Sequence, residues 1–269
     1  MFDLEKRDLS PEILDLPGTP AEAYRAALVG LARVNAVSRT SKHAWAEING
    51  MARERGLSTV SVLDLGCGGG DVPLDVQRRA LRAGLNMNIT GYDASPTVIE
   101  YARAKAAKMS AKHRGVHEER RRKTEFEVRD VFLDPPEHRF DVVMCSLMLH
   151  HLDDAHAATL LEIMADTASR LVIVDDLVRS RLGYVAAKVA LQLLSRSDIV
   201  HADGPHSVAR AFRVDELQRI VDEVGMTGAQ IRTIRPFRML LTWEPHGVRR
   251  RVRPQPAARE APAAAHTAA

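Results

Sequence analysis

The sequence predicts an α/β fold: a seven-stranded, mostly parallel sheet with helices on both faces, a helical lead-in before it and a helical lid after its fifth strand. Three observations carry this expectation. From residue 58 onward, short apolar runs alternate with stretches of helical periodicity. The first run, Thr59-Val60-Ser61-Val62-Leu63-Asp64, feeds a glycine loop, Gly66-Cys67-Gly68-Gly69-Gly70, that opens a helix near Asp71. The runs at 140–144 and 171–174 have the apolar character of strands covered on both faces.

Residues 1–19 are polar and proline-punctuated, which fits a loose arm. Tyr24, Leu28, Leu31 and Val34 recur at helical spacing over 21–35, and Ala44, Ile48 and Met51 mark a second helix near Trp45. Residues 1–57 are thus the arm and lead-in. After the glycine loop, Asp71 is expected to cap the next helix, with Pro73 in its first turn and Gly84 closing it. The second strand covers 88–93, and Ser95-Pro96 then starts a helix with serine as N-cap. Residues 124–131 alternate as a third strand, and a helical stretch covers 154–168.

Beyond Asp175-Asp176, an amphipathic helix of about five turns uses Val178, Leu182, Val185, Ala186, Val189 and Leu193, expected to pack on the core or border an apolar pocket. The segment Asp198 to His206 has the composition of a histidine-rich loop. A helix over 214–224 and strands at 229–235 and 238–243 complete a domain spanning 58–245, with a lid insertion at 177–212. Residues 246–269 are rich in Arg, Pro and Ala without apolar period, and are expected to be a disordered tail.

Composition excludes several classes. The chain has 269 residues, 45% hydrophobic and 27% charged, an ordinary globular balance. The net charge of +3 is too slight to argue for a nucleic-acid partner, and the basic run 113–123 is expected to be a solvated loop. Two cysteines, Cys67 and Cys145, do not make a disulfide framework. With no signal-like apolar start and no long apolar run, the expectation is a cytoplasmic protein without a transmembrane segment.

The glycine loop presents bare backbone N–H groups to a ligand. It departs from the dinucleotide pattern because Asp71 stands where that fingerprint needs its third glycine, which disfavours a nicotinamide-dependent dehydrogenase. A carboxylate there repels a pyrophosphate and favours a ligand carrying an ammonium group. Asp93 ends the second strand about 20 residues further on, where a carboxylate can accept both hydroxyls of a ribose.

Asp64-Leu65-Gly66-Cys67-Gly68-Gly69-Gly70 resembles the first motif of the class I S-adenosylmethionine-dependent methyltransferases, which have a Rossmann-like sheet. Gly91-Tyr92-Asp93-Ala94-Ser95 resembles their second motif and Val128-Arg129-Asp130-Val131 their third. The stretch Phe140 to Leu152, with His150-His151 before Leu152, is similar to the fourth motif as it stands in the ubiquinone and menaquinone biosynthesis branch.

The resemblance implies S-adenosylmethionine as cofactor. Gly66, Cys67, Gly68 and Gly70 would line its methionine portion with Asp64 in support, and Asp93 and Ala94 would meet the ribose. Asp130 and Val131 would hold the adenine, and Cys145 and Ser146 would lie beside the sulfonium. It also implies methyl transfer to a small or lipid-like acceptor of phenolic or quinone type, at oxygen or carbon. The alternatives are an RNA or protein methyltransferase docking through 113–123 and 249–253, or a non-catalytic partner subunit that binds the cofactor.

Two signals are set aside. Asp134-Pro135-Pro136-Glu137 precedes the fourth strand and has no aromatic in fourth place, so it is not a base-methylating motif. His150, His151 and His156 are not read as a metal site, since adjacent histidines do not easily face one ion and zinc takes about three or four convergent ligands. Methylating a phenol needs a base, because a phenol titrates near about 10. Histidine is the natural one. His201, with Asp203 nearby, is the first candidate and His150 the second; His151 and His206 complete the set.

Overall fold

The computed structural model describes residues 4–16, 20–112 and 124–245. The run 113–123 and the segment 246–269 lie outside these, so the expectations placed on them have no structural counterpart.

Strands and helices alternate as the periodicity predicts. Two helices, α1 (Ala21–Ser38) and α2 (Thr40–Glu54), precede the sheet. Then follow β1 (Thr59–Leu65), α3 (Asp71–Ala83), β2 (Asn86–Asp93), α4 (Pro96–Lys112), β3 (Thr124–Val128) and β4 (Phe140–Ser146). A short 3-10 turn, Leu149–His151, leads into α5 (Asp154–Thr167) and β5 (Ala168–Leu177). The chain ends through α6 (Arg181–Leu194), α7 (Asp198–Arg210), α8 (Val214–Glu223), β6 (Gln230–Ile234) and β7 (Arg238–Trp243). The strands form one sheet in the order β3-β2-β1-β4-β5-β7-β6, parallel throughout except for β7.

Side-chain alternation divides the core. Val60 and Val62 of β1, Val142 and Met144 of β4, and Leu171 and Ile173 of β5 pack under α2 and α3. Their neighbours Leu63, Leu65, Val143, Cys145, Val172 and Val174 pack under α5 and α8. Each fully buried aliphatic side chain contributes about 1.5–3 kcal/mol, which holds the strand ends rigidly where the site forms.

Four local expectations are corrected. Residues 198–206 form most of α7, a helix that carries Pro205 inside it. Its Gly204 permits the close approach of α6: a Cβ there would collide with Leu191 Cδ1. Packing overrides the loop composition. Second, α6 begins at Arg181, so Val178 precedes it. Leu182, Val185, Val189 and Leu193, expected on its packed side, point outward, while Gly183, Ala186, Ala187, Ala190 and Leu191 face the protein. Third, Asp71 is the first residue of α3 and not its cap; Gly70 holds the cap position with φ of 74°. Fourth, β3 ends at Val128, leaving Asp130 and Val131 in the following turn.

Candidate active site

A cavity of about 1110 Å3 opens at the carboxyl ends of β1, β2, β4 and β5, the edge at which open parallel sheets bind ligands. It divides into two halves.

The first is built by β1, β2 and the turn after β3. Gly66, Gly68 and Gly70 have φ of 65°, 53° and 74°, a region in which a side chain is strained, so the loop requires glycine at all three. The Gly68 N–H donates to Asp93 Oδ2 at 3.0 Å, and the Ser95 N–H donates to Asp93 Oδ1 at 3.0 Å, fixing that carboxylate on the wall. Asp130 Oδ1 accepts from the Phe132 N–H at 2.9 Å, and Val131 is buried beside it. Asp64 is fully buried, and its Oδ1 has no hydrogen-bond partner. Burial, then the nearby Asp93, push its pKa well above the ordinary carboxylate value. A buried acceptor oxygen with no donor fits an incoming ammonium group.

Asp64, Gly66, Cys67, Gly68, Asp93, Ala94, Asp130, Val131 and Ser146 all lie on the cavity wall. Gly70 and Cys145 do not. Gly70 sits behind the loop against Phe126, and Cys145 is wholly buried under α5, where burial and then the charges of Asp176, Asp64 and Asp175 push its thiol up. Asp71 is ion-paired with Lys105, which tempers the anion repulsion expected from it.

The second half is roofed by the N-terminal arm, α1, α6 and α7, with Leu9, Leu28, Leu31, Ala187 and Leu191 on its walls. Guanidinium groups staple the arm down. Arg7 donates to the carbonyls of Leu152 at 2.5 Å and Arg210 at 2.7 Å, and lies 3.5 Å over the Phe212 ring. Arg179 donates to the Leu4 and Ala211 carbonyls at 3.1 and 2.6 Å. Asp203 accepts the Ile13 and Leu14 N–H groups at 2.9 and 3.1 Å.

At the junction of the halves stands a buried histidine–aspartate pair. His150 Nδ1 lies 2.6 Å from Asp176 Oδ1, and the His150 N–H donates to Asp176 Oδ2 at 3.2 Å. Burial raises the Asp176 pKa, but the charge and hydrogen bond of His150, the Leu177 N–H and Arg238 outweigh it, so the carboxyl stays below its ordinary value. An ionised Asp176 only accepts, so Nδ1 carries the proton. In the neutral form of the ring, which borders the cavity, Nε2 is the lone-pair nitrogen.

Strand alternation sends the preceding residue the other way. Asp175 Oδ2 meets His43 Nδ1 of α2 at 3.0 Å, and its Oδ1 accepts from Arg238 Nε at 2.8 Å.

His201, the first candidate base, is not on the cavity wall: it sits on α7 with Nε2 2.9 Å from the Ser195 carbonyl. His206 is likewise off the cavity wall, its Nε2 3.0 Å from Ser10 Oγ. His150 and His151 do face the cavity. The geometric objection to convergent histidines also fails, since ligand atoms of Glu12, His150 and His151 lie within 4.8 Å of one another. Arg210, 4.0 Å from Glu12, already places a cation there.

Sequence reasoning missed Arg7, Glu12 and Arg210, which come from distant parts of the chain, and it treated Asp175-Asp176 only as a strand end. Two adjacent carboxylates closing a buried strand were the available signal, because a buried carboxylate demands a partner.

Residues 62–169 match a family model described as a methyltransferase domain. No curated protein matches the chain. Among solved structures, the chain is similar to magnesium protoporphyrin IX methyltransferase from Synechocystis PCC 6803 with bound SAH: 18% identity over 87% of this chain and 91% of that one, TM-score 0.52. It is also similar to the plantazolicin methyltransferase BpumL in complex with SAH, 16% identical over 70% of this chain and 76% of that one, TM-score 0.51. At such identities the likeness is one of fold. The matched methyltransferase domain runs from β1 to the start of β5, and the sheet order is that of an α/β, Rossmann-like fold shared with these structures.

Proposed function

We propose that the protein transfers a methyl group from S-adenosylmethionine to a hydroxyl of a small, largely apolar acceptor of phenolic or quinone type, with His150 as general base and Asp176 as its positioning partner. The observation that carries this reading is the 2.6 Å His150–Asp176 contact at the wall shared by the two halves of the cavity. The buried, unpartnered Asp64 oxygen supports the cofactor assignment, since it suits the ammonium of the methionine moiety, with Asp93 left to meet the ribose and Asp130 with Val131 the adenine. The apolar walls under the arm, α1 and α6 suit a ring-bearing or lipid-like acceptor.

S-adenosylmethionine supplies a methyl carbon already activated by its sulfonium, so the chain's own work is alignment, water exclusion and proton removal. His150 Nε2 takes the acceptor's proton while Asp176 stabilises the imidazolium and fixes its tautomer. The stapled arm excludes water from above. Compartment follows from the same reading: both cysteines are free and buried, as suits a reducing cytoplasm.

The test is incubation of the protein with methyl-labelled S-adenosylmethionine and an extract of its own host, followed by identification of the product. A labelled methyl ether supports the reading when His150→Gln abolishes it and leaves cofactor binding intact. Label in RNA or protein, or equal turnover by His150→Gln, overturns it.

A further inference from the structure

Helix α6 is apolar on two sides. Gly183, Ala186, Ala187 and Ala190, with Leu191 and Leu194, face the cavity, while Leu182, Val185, Val189 and Leu193 are 75%, 59%, 60% and 84% exposed. These four recur at helical spacing and form one outward stripe. Surface leucines and valines scattered singly need no explanation, but an aligned row marks a contact surface.

The charged residues of that helix are of one sign. Arg181, Lys188 and Arg196 are exposed beside the stripe, and no Asp or Glu occurs between Leu177 and Ser197. Helix α1, which packs on α6, adds exposed Val29 and Val37 with exposed Arg25 and Arg33. Along α1 and α6 the one acidic residue is Glu22, in the first turn of α1, and the next after α6 is Asp198, which opens α7. No helix among the described residues is long and apolar enough to cross a membrane.

We propose that the outward face of α6 docks on an anionic phospholipid surface. An apolar row whose charged flanking residues are all cations is the pattern of a helix lying in the headgroup region, where the row enters the acyl boundary and the Lys and Arg side chains meet lipid phosphates. Charge complementarity selects this occupant over a second copy of the chain, because two such faces would bring Arg181, Lys188 and Arg196 against their own like. The proposal stands independently of the methyl acceptor. It places the wall of the acceptor cavity, of which α6 is a part, against the bilayer.

The test is co-sedimentation of the full chain with phosphatidylglycerol–phosphatidylcholine vesicles and with pure phosphatidylcholine vesicles. Leu182→Glu/Val189→Glu and Arg181→Glu/Lys188→Glu are run alongside the wild type. Thermal melting and calorimetric binding of S-adenosylhomocysteine check that the variants fold. Wild-type protein is expected to sediment with anionic vesicles and to be released as salt rises. The apolar double variant is expected to bind at least about tenfold more weakly, and the charge variant to lose its preference for anionic lipid. Three results overturn the proposal. One is wild-type protein that ignores both vesicles. Another is folded double variants that sediment as well as wild type, which would assign binding to another part of the chain such as 246–269. The third is a dimer in sedimentation velocity that the apolar variant dissolves, which would assign the face to a second copy.

Discussion

The two halves of the cavity were assembled by different logic. The cofactor half is local: Asp64, the three glycines and Asp93 lie within 30 consecutive residues, and the Gly68–Asp93 hydrogen bond spans only 25 positions. The acceptor half is non-local. Its staples join Arg7 to Leu152, Arg179 to Leu4 and Asp203 to Ile13, separations of 145, 175 and 190 positions. A glycine loop on a strand end can be kept by backbone geometry alone. A roof made from an arm and three helices depends on long side chains satisfying distant carbonyls. Specificity for the methyl acceptor can therefore change by altering a few contacts without disturbing the cradle.

Substitutions separate the halves, and the largest effect is expected at their junction. His150→Ala should lower kcat by about 10²–10⁴-fold while leaving the affinity for S-adenosylhomocysteine unchanged, read by single-turnover assay and calorimetry. Loss of both together would mean that the halves are not separable. Next comes the roof: Arg7→Ala frees the arm and should raise the acceptor KM by about tenfold, the equivalent of about 1.4 kcal/mol, with cofactor affinity untouched.

A smaller effect concerns Asp64 and carries a pH signature. Its folded pKa lies well above the unfolded value, so its contribution to stability is full below the usual carboxylate range and is lost as pH rises toward the folded pKa. Asp64→Asn should raise the Tm of the ligand-free protein near neutrality by about 2–4 °C per kcal/mol relieved, flatten the rise of stability on acidification, and weaken S-adenosylhomocysteine binding. A Tm that falls in the variant would contradict an ionisable, uncompensated Asp64. The smallest expected effect is at His201: with its ring turned to the Ser195 carbonyl, His201→Ala should keep kcat within about twofold of wild type.

What the sequence made legible follows the same division. The strand alternation, the glycine loop and Asp93 were readable because each is fixed by neighbours in the chain. Asp198–His206 read as a histidine-rich loop by composition, yet it lies in helix α7, where Gly204 packs against Leu191 of α6. For α6 the periodicity was legible but not its direction, since which side of an amphipathic helix is buried is decided by its partners. His201 outranked His150 in the sequence because Asp203 was two residues away, whereas the true neighbour of His150, Asp176, lies 26 residues along the chain on another strand. Asp203 is engaged instead by the arm.

The central claim is that the carboxyl ends of β1 and β2 hold S-adenosylmethionine through its ammonium and ribose. Calorimetric titration of the full chain with S-adenosylhomocysteine, for wild type and Asp93→Ala, tests it most directly. Saturable binding by wild type, weakened about 10–100-fold in Asp93→Ala by the loss of charged hydrogen bonds, is the predicted result. Equal binding by the two proteins, or no heat with S-adenosylhomocysteine alongside uptake of a dinucleotide, would contradict it.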